Sequence, residues 1–160
     1  MLLSLRPARA ADAAAIREWF LTREEATEWA GDPPWPLPLD WMARTLTLDR
    51  EPHFVLADAA DAPVGLFGLR LHQDRAHLIR VALAPPFRGV GFSSRLLEAA
   101  FSMAAELGHT FITLMVLDAN SPARGAYEKA DFAYIRSETG RFGQVWWMGR
   151  SLEPEHTGSS

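Results

Sequence analysis

The sequence predicts an α/β fold: a mixed, mostly antiparallel sheet of seven strands with helices on both faces. Three stretches carry that prediction. Val81 to Leu97 (VALAPPFRGVGFSSRLL) reads as a strand, a glycine-containing turn and a helix, because Pro85 and Pro86 stop the ladder and an apolar helical pattern follows the glycines. Phe111 to Leu117 (FITLMVL) is an almost unbroken apolar run, as a central strand covered on both faces requires. Finally, His53–Ala57, Val64–Leu71 and Ala76–Leu83 succeed one another across short turns, and strands joined that way are antiparallel.

The elements follow in order. Leu2 to Arg6 alternates and suits a first strand ended by Pro7. Asp12 is placed to cap a helix whose Ala15, Ile16, Trp19 and Phe20 make one buried stripe. A second helix runs from Glu24 to Trp29 and stops at Gly31 and Pro33-Pro34, after which GDPPWPLPLD is too rich in proline for anything but a stiff loop. Asp40 can cap a third helix containing Trp41, Met42 and Leu46. Asp58 to Pro63 and Asp74-Arg75 supply the turns between the next three strands. Leu96, Leu97, Ala100, Phe101, Ala104 and Leu107 then fall three or four apart, with Gly108 where a C-terminal cap belongs. The Phe111–Leu117 strand lies beside Ala76–Leu83 through a right-handed crossover. Ser121-Pro122 opens a short helix to Lys129, and Phe132–Arg136 with Gln144–Met148 forms a late hairpin. One domain, residues 1–150, accounts for all of this, and the polar residues 151–160 read as a disordered tail.

At 160 residues and 48% hydrophobic composition the chain can bury a sizeable core. A net charge of -4 argues against a nucleic-acid binder that relies on a basic face. Carboxylates dominate between Asp12 and Asp61, whereas arginines gather later, which suggests an acidic side for a cationic substrate and a basic side for an anionic cofactor. No cysteine is present, so thiolate nucleophiles and cysteine metal sites are excluded, and the five histidines lack ligand spacing; no metal is expected. The first residues have too short an apolar run for a signal peptide and no run approaches the ~20 residues of a membrane span, so a cytoplasmic protein without a membrane partner is expected.

The Arg88-Gly89-Val90-Gly91-Phe92-Ser93-Ser94 segment points to the ligand. A helix start leaves about four N–H groups without internal partners and carries roughly half a positive charge, and glycines there let an anion reach the bare amides. A phosphate-bearing ligand is the first expectation.

On these residues the chain resembles the GNAT superfamily of acyl-CoA N-acyltransferases, from about Leu3 to Arg150. The family's cofactor motif (Gln or Arg, two residues, Gly, one residue, Gly or Ala) falls on Arg88 to Ser93, with Leu96 and Leu97 matching beyond it. A second pattern falls on Asn120, Ala123, Tyr127, Lys129 and Phe132. The two stand in the family's order, separated by one helix and one apolar strand.

The resemblance implies acetyl-CoA as acyl donor, held in a splay between two central parallel strands. The main chain of Val81, Ala82 and Leu83 would pair with the pantetheine arm, and the amides from Gly89 to Ser94 would take the pyrophosphate. It further implies that Tyr127 is the acid that protonates the CoA thiolate and that Asn120 holds the cofactor arm or the helix start. Ser93, in place of Gly or Ala, and Asp131, in place of Gly, depart from the pattern; Asp tolerates the left-handed turn expected there. Relatives' glutamate base has no equivalent here, and His77 is the nearest side chain with a suitable ordinary pKa, with Glu28 or a water chain as alternatives.

The acceptor is expected to be an amine on a small molecule or peptide. Glu24, Glu25, Glu28, Trp29, Trp35 and Trp41 surround the proline-rich loop and could hold a cation, with Glu28, Trp29 and Trp35 taken as its contacts. Trp146-Trp147 offers one ring to each sheet face. Two other readings compete. A dinucleotide enzyme lacks the third glycine, which is Ser94, and leaves the Asn120-to-Tyr127 pattern unexplained. A non-catalytic acyl-CoA-binding module differs from an enzyme only in failing to release thiol with amines. A monomer and a homodimer formed through the late strands are both compatible with the sequence.

Overall fold

The structure, a computed structural model, describes residues 1–153. Its elements are β1 (Ser4–Pro7), α1 (Ala13–Arg17), α2 (Arg23–Ala30), α3 (Leu39–Leu46), β2 (His53–Ala57), β3 (Pro63–Leu71), β4 (Ala76–Leu83), α4 (Phe92–Glu106), β5 (Phe111–Leu117), α5 (Ser121–Lys129), β6 (Ala133–Gly140) and β7 (Gly143–Ser151). They make one seven-stranded sheet in the order β1-β2-β3-β4-β5-β7-β6, antiparallel at every junction but one. The exception is β4–β5, where the crossover through α4 makes the pair parallel.

Each sheet face has its own core. On one, Phe67, Leu69, Leu78, Ile112, Leu114 and Met148 pack against Leu96, Leu97, Ala100, Phe101 and Ala104 of α4. On the other, Val55, Ala57 and Leu66 meet Ile16, Trp19, Phe20, Trp29, Met42 and Leu46 from the α1–α3 layer. Each large apolar side chain so buried stabilises the fold by roughly 1.5–3 kcal/mol relative to exposure. Helix α4 thus fastens the parallel strands, while α1–α3 cover one end of the opposite face.

Several local expectations are corrected. Helix α1 is a single short turn: Trp19 and Phe20 donate to the carbonyls of Ile16 and Arg17, three residues back, so the helix tightens and ends before the two rings. Both rings are still buried, but Ala13 rather than exposed Ala15 completes the stripe. Asp12 does not cap α1 through its side chain. Its carboxylate turns back to accept the Arg9 N–H at 2.8 Å and both terminal nitrogens of Arg6 at 2.8 Å. Asp40 sits in the first turn of α3, one residue past the start, and pairs with Arg44 at 3.1 Å. Thr22 caps α2 and Asn120, not Ser121, caps α5.

Asp131 adopts the left-handed conformation expected of it, at φ 70°. The late hairpin is longer than expected, and Phe132 lies just ahead of β6, buried in the α4-side core. Ser151 closes β7 and Leu152 packs on that core, its N–H on the Thr110 carbonyl at 2.8 Å. The remainder of the expected tail, residues 154–160, lies outside the described residues. Among the described residues no helix is long and apolar enough to cross a membrane.

Candidate active site

The parallel pair β4–β5 is joined only at its beginning, where Ala76 faces Ile112 and His77 faces Thr113. Beyond that rung the strands part. The cause lies in β4, whose register against β3 slips between Leu66 and Gly68 as Arg80 takes a left-handed conformation at φ 51°. An extra residue of this kind bends the strand that contains it. The bend is held from the other layer, since Trp29 Nε1 donates to the Arg80 carbonyl oxygen at 3.0 Å.

The parted strands leave backbone groups facing the gap. Ala84 N–H points to β3, where Val64 O accepts it at 2.8 Å. Strand peptides alternate, so Leu83 turns its N–H and C=O the other way, toward β5. The Leu83 carbonyl is met there by Arg88 Nε at 2.9 Å. The remaining Arg88 donors reach the Trp19 carbonyl at 2.8 Å and Glu25 at 3.4 Å, so this guanidinium fastens the turn rather than standing free for a ligand.

At the mouth, Gly89 and Gly91 have φ of 72° and 89°, and α4 starts at Phe92. A Cβ at either glycine would meet no atom within 4 Å, so the space in front of them is open. No side chain caps α4, so the amides of its first turn, Phe92, Ser93 and Ser94 among them, are left to the approach side. Ser94 Oγ bonds back to Gly91 O at 3.0 Å, and Phe92 packs edge-on against Phe87. Bare amides at the positive end of a helix, bordered by an open pair of glycines, suit a pyrophosphate.

Helix α5 forms the far wall. Asn120 Oδ1 accepts the Ala123 N–H at 3.3 Å, so its side chain serves the helix start. Tyr127, two turns further along the same side, rests edge-on against Phe132 and has no hydrogen-bond partner for its hydroxyl among the described residues. Desolvation by burial pushes its phenol up to about 12.

A cavity of about 910 Å³ runs between these walls. It is lined by the expected residues His77, Val81, Ala82, Leu83, Arg88, Ser93, Asn120, Tyr127, Glu28 and Trp29. Gly89, Val90, Gly91, Phe92 and Ser94 belong to the same turn but stand outside the lining. Trp35 does not line this cavity; it borders a smaller depression of about 210 Å³ with Arg17 and with Phe20, which lines both. Trp29 is largely core, stacked on Phe20 at 4.4 Å between ring centroids.

His77 lines the cleft at the last paired rung of β4 and β5. The ring is buried, its Nδ1 lies 2.8 Å from Thr113 Oγ1, and burial followed by the nearby Arg70 charge pulls its pKa down to about 4. It therefore lacks the near-neutral pKa that recommended it as a base. Neither Trp146 nor Trp147 lines the cavity; Trp146 lies under the Arg124 guanidinium, and Trp147 is packed between His77 and Arg136.

The lining also contains Arg70, Asp32, Glu138, Arg141 and Phe142, which sequence patterning did not single out. Asp32 and Arg141 form an ion pair across the two walls. Among the described residues no cluster of three or more metal-ligating side chains occurs.

A sheet opened between two parallel strands, with a strand edge along one side and a bare helix start at the mouth, is a cleft for an extended, phosphate-bearing ligand. A sequence model of the acetyltransferase (GNAT) family matches residues 13–132, well over half of the chain, and the protein belongs to that family. Among solved structures it is similar to a spermidine N-acetyltransferase from Vibrio cholerae in complex with CoA and spermine, at 23% identity and TM-score 0.80 over 94% of this chain and 95% of that one. It is likewise similar to a GNAT superfamily phosphinothricin acetyltransferase from Sinorhizobium meliloti in complex with AcCoA, at 21% identity and TM-score 0.72 over 98% and 95%.

Proposed function

We propose that residues 1–150 form one cytoplasmic domain that moves an acetyl group from acetyl-CoA to a primary amine by direct attack in a ternary complex. The observation that carries this reading is the end of β4–β5 pairing at His77 and Thr113, which opens a cleft leading past Tyr127 to the uncapped start of α4. The CoA and AcCoA complexes of the two structural relatives support the donor, and spermine in one of them supports an amine acceptor.

When bound, acetyl-CoA supplies a thioester carbonyl and a thiolate leaving group. The first-turn amides of α4 hold the pyrophosphate, and the main chain of Val81 to Leu83, where the Leu83 N–H faces β5, pairs with the pantetheine arm as a neighbouring strand would. A strand N–H in this segment, fixed before reaction, stabilises charge developing on the carbonyl oxygen. Tyr127 keeps its proton throughout the neutral range, since its pKa lies near 12. Against a thiol of pKa about 8.5, full transfer from that phenol is roughly 10³- to 10⁴-fold uphill, so Tyr127 acts by donating a hydrogen bond to the sulfur as charge builds. Glu28, which has no ion-pair partner among the described residues, draws the ammonium to the rim, and its proton leaves through water.

Two measurements test this. Calorimetry should show acetyl-CoA binding to the purified chain, and free thiol should be released with at least one member of an amine panel whose product gains an acetyl group by mass. Binding without turnover on every amine would favour the non-catalytic acyl-CoA module, and no binding at all would remove the reading.

A further inference from the structure

On the sheet floor of the cleft two arginines share one carboxylate. Arg70 stands opposite His77 in the β3–β4 register, so both side chains occupy the same face, and Arg80 sits at the bulge in β4. Both arginines line the cavity, whereas Glu51 does not. Glu51 Oε2 accepts Arg70 Nε at 2.5 Å and Oε1 accepts a terminal nitrogen of Arg80 at 3.0 Å. Burial works to raise the Glu51 carboxyl, and the two guanidinium groups outweigh it, holding the group below the usual carboxylate range. Two cations against one anion leave this wall one positive charge in excess.

The excess is directed into the cleft. A guanidinium has five N–H donors in a planar fork, and Arg70 uses only Nε, so its two terminal nitrogens have no partner among the described residues. Its side chain is 44% exposed, against 19% for Arg80. His77 beside it is neutral above about pH 4 and cancels nothing. Elsewhere in the lining the charges are matched: Arg88 with Glu25, Arg141 with Asp32, and Glu138 with Arg136. What remains is an open guanidinium on the floor and the unmatched Glu28 carboxylate at the rim.

We infer, resting on the transferase reading above, that the acceptor carries an oxyanion close to its amine, and that Arg70 is the residue that binds this oxyanion. A carboxylate or a phosphonate matches the fork bidentately, with Glu28 drawing the ammonium end. A polyamine instead places a second ammonium against Arg70, a like-charge contact that such a site rejects.

The test uses the full chain and acetyl-CoA, with initial thiol release measured against the common α-amino acids, their carboxamides, 1-aminoalkylphosphonates and spermidine. An anionic amine should exceed its own carboxamide at least about tenfold in kcat/KM, and the carboxylate and phosphonate arms identify which oxyanion is used. Arg70→Gln should raise KM for that acceptor about tenfold or more, with a much smaller change in kcat and an unchanged calorimetric affinity for acetyl-CoA; Arg70→Lys should recover part of the loss. Glu51 stays paired with Arg80 in both variants, and a thermal melt checks that they are folded. Equal or better use of carboxamides or spermidine, or an Arg70→Gln enzyme with unaltered KM, overturns the inference while leaving the transferase reading intact. Acetyl-CoA binding without turnover on any amine overturns both.

Discussion

Trp29 Nε1 and the Arg80 carbonyl oxygen, 3.0 Å apart, join the α1–α3 layer to the single left-handed residue in β4. A non-glycine residue with positive φ costs roughly 1–2 kcal/mol and persists only where its surroundings hold it. Trp29→Phe keeps an aromatic ring against Phe20 but drops the donor, and should lower stability by about 1–2 kcal/mol. Trp29→Ala also empties core volume and should cost about 3–5 kcal/mol. Urea denaturation measures both. If the bond holds the bulge, Trp29→Phe also weakens acetyl-CoA binding in calorimetry although the indole itself is not assigned to the cofactor.

Gly91 tests the helix mouth. Its φ of 89° suits glycine, and no atom lies within 4 Å of where a Cβ would stand. The penalty for Gly91→Ala is therefore conformational, about 1–2 kcal/mol, with no clash added. Relaxing that strain turns the first amides of α4 away from their common direction. Acetyl-CoA affinity should fall about tenfold or more, with the melting temperature only modestly reduced. An unchanged affinity would show that the pyrophosphate is held elsewhere.

The stretches that were legible in sequence are those where backbone chemistry acts alone: prolines ending a strand, glycines with positive φ, an apolar run in a central strand, of which only Met115 is exposed, where it lines the cleft. Arg88–Ser94 and Phe111–Leu117 are of this kind, and so is Asp131. Arg80 was not legible, because its conformation is imposed by a register slip and by Trp29 from a distant helix, and nothing in arginine itself announces it. Asp12 was misassigned for a related reason: Arg6, six residues earlier, offers two charged hydrogen bonds that outcompete a simple cap. Arg70 carries no motif in the sequence, and only the fold shows that it shares Glu51 with Arg80 and opens onto the cleft.

The two buried histidines set the acid limb of stability. His53 and His77 are both drawn down to about 4, in each case first by burial and next by a neighbouring arginine. The unfolded chain takes up protons near pH 6.5 and the folded one does not, so the stabilisation is complete above 6.5 and is lost as pH falls toward 4. Each ring accounts for on the order of 3 kcal/mol across that window. His77→Gln should flatten the fall measured by denaturation at pH 7, 5.5 and 4.5. The same depression predicts no inflection near pH 6–7 in kcat/KM; the profile should instead climb as the acceptor ammonium loses its proton. A bell with a limb near 6.5 that disappears in His77→Gln would restore the histidine as base.

Tyr127 makes the sharpest distinction between chemistry and packing. Its ring contacts Phe132, and Phe in its place preserves that contact, so Tyr127→Phe should leave the melting temperature and acetyl-CoA affinity nearly unchanged. The hydroxyl has no partner among the described residues, so removing it costs the fold little and costs the reaction the one phenolic hydrogen bond available to the departing sulfur. Because a thiolate leaves tolerably well unaided, kcat should fall only about tenfold to a hundredfold, at the lower end of general acid effects. The group stays protonated below about pH 12, so the wild-type rate should show no alkaline loss from it in the accessible range. The discriminating measurement uses acyl-CoA analogues with a better leaving group: the ratio of wild-type to Tyr127→Phe turnover should shrink as the thiol pKa falls. A ratio independent of the leaving group would mean that the hydroxyl positions the donor and does not assist its departure.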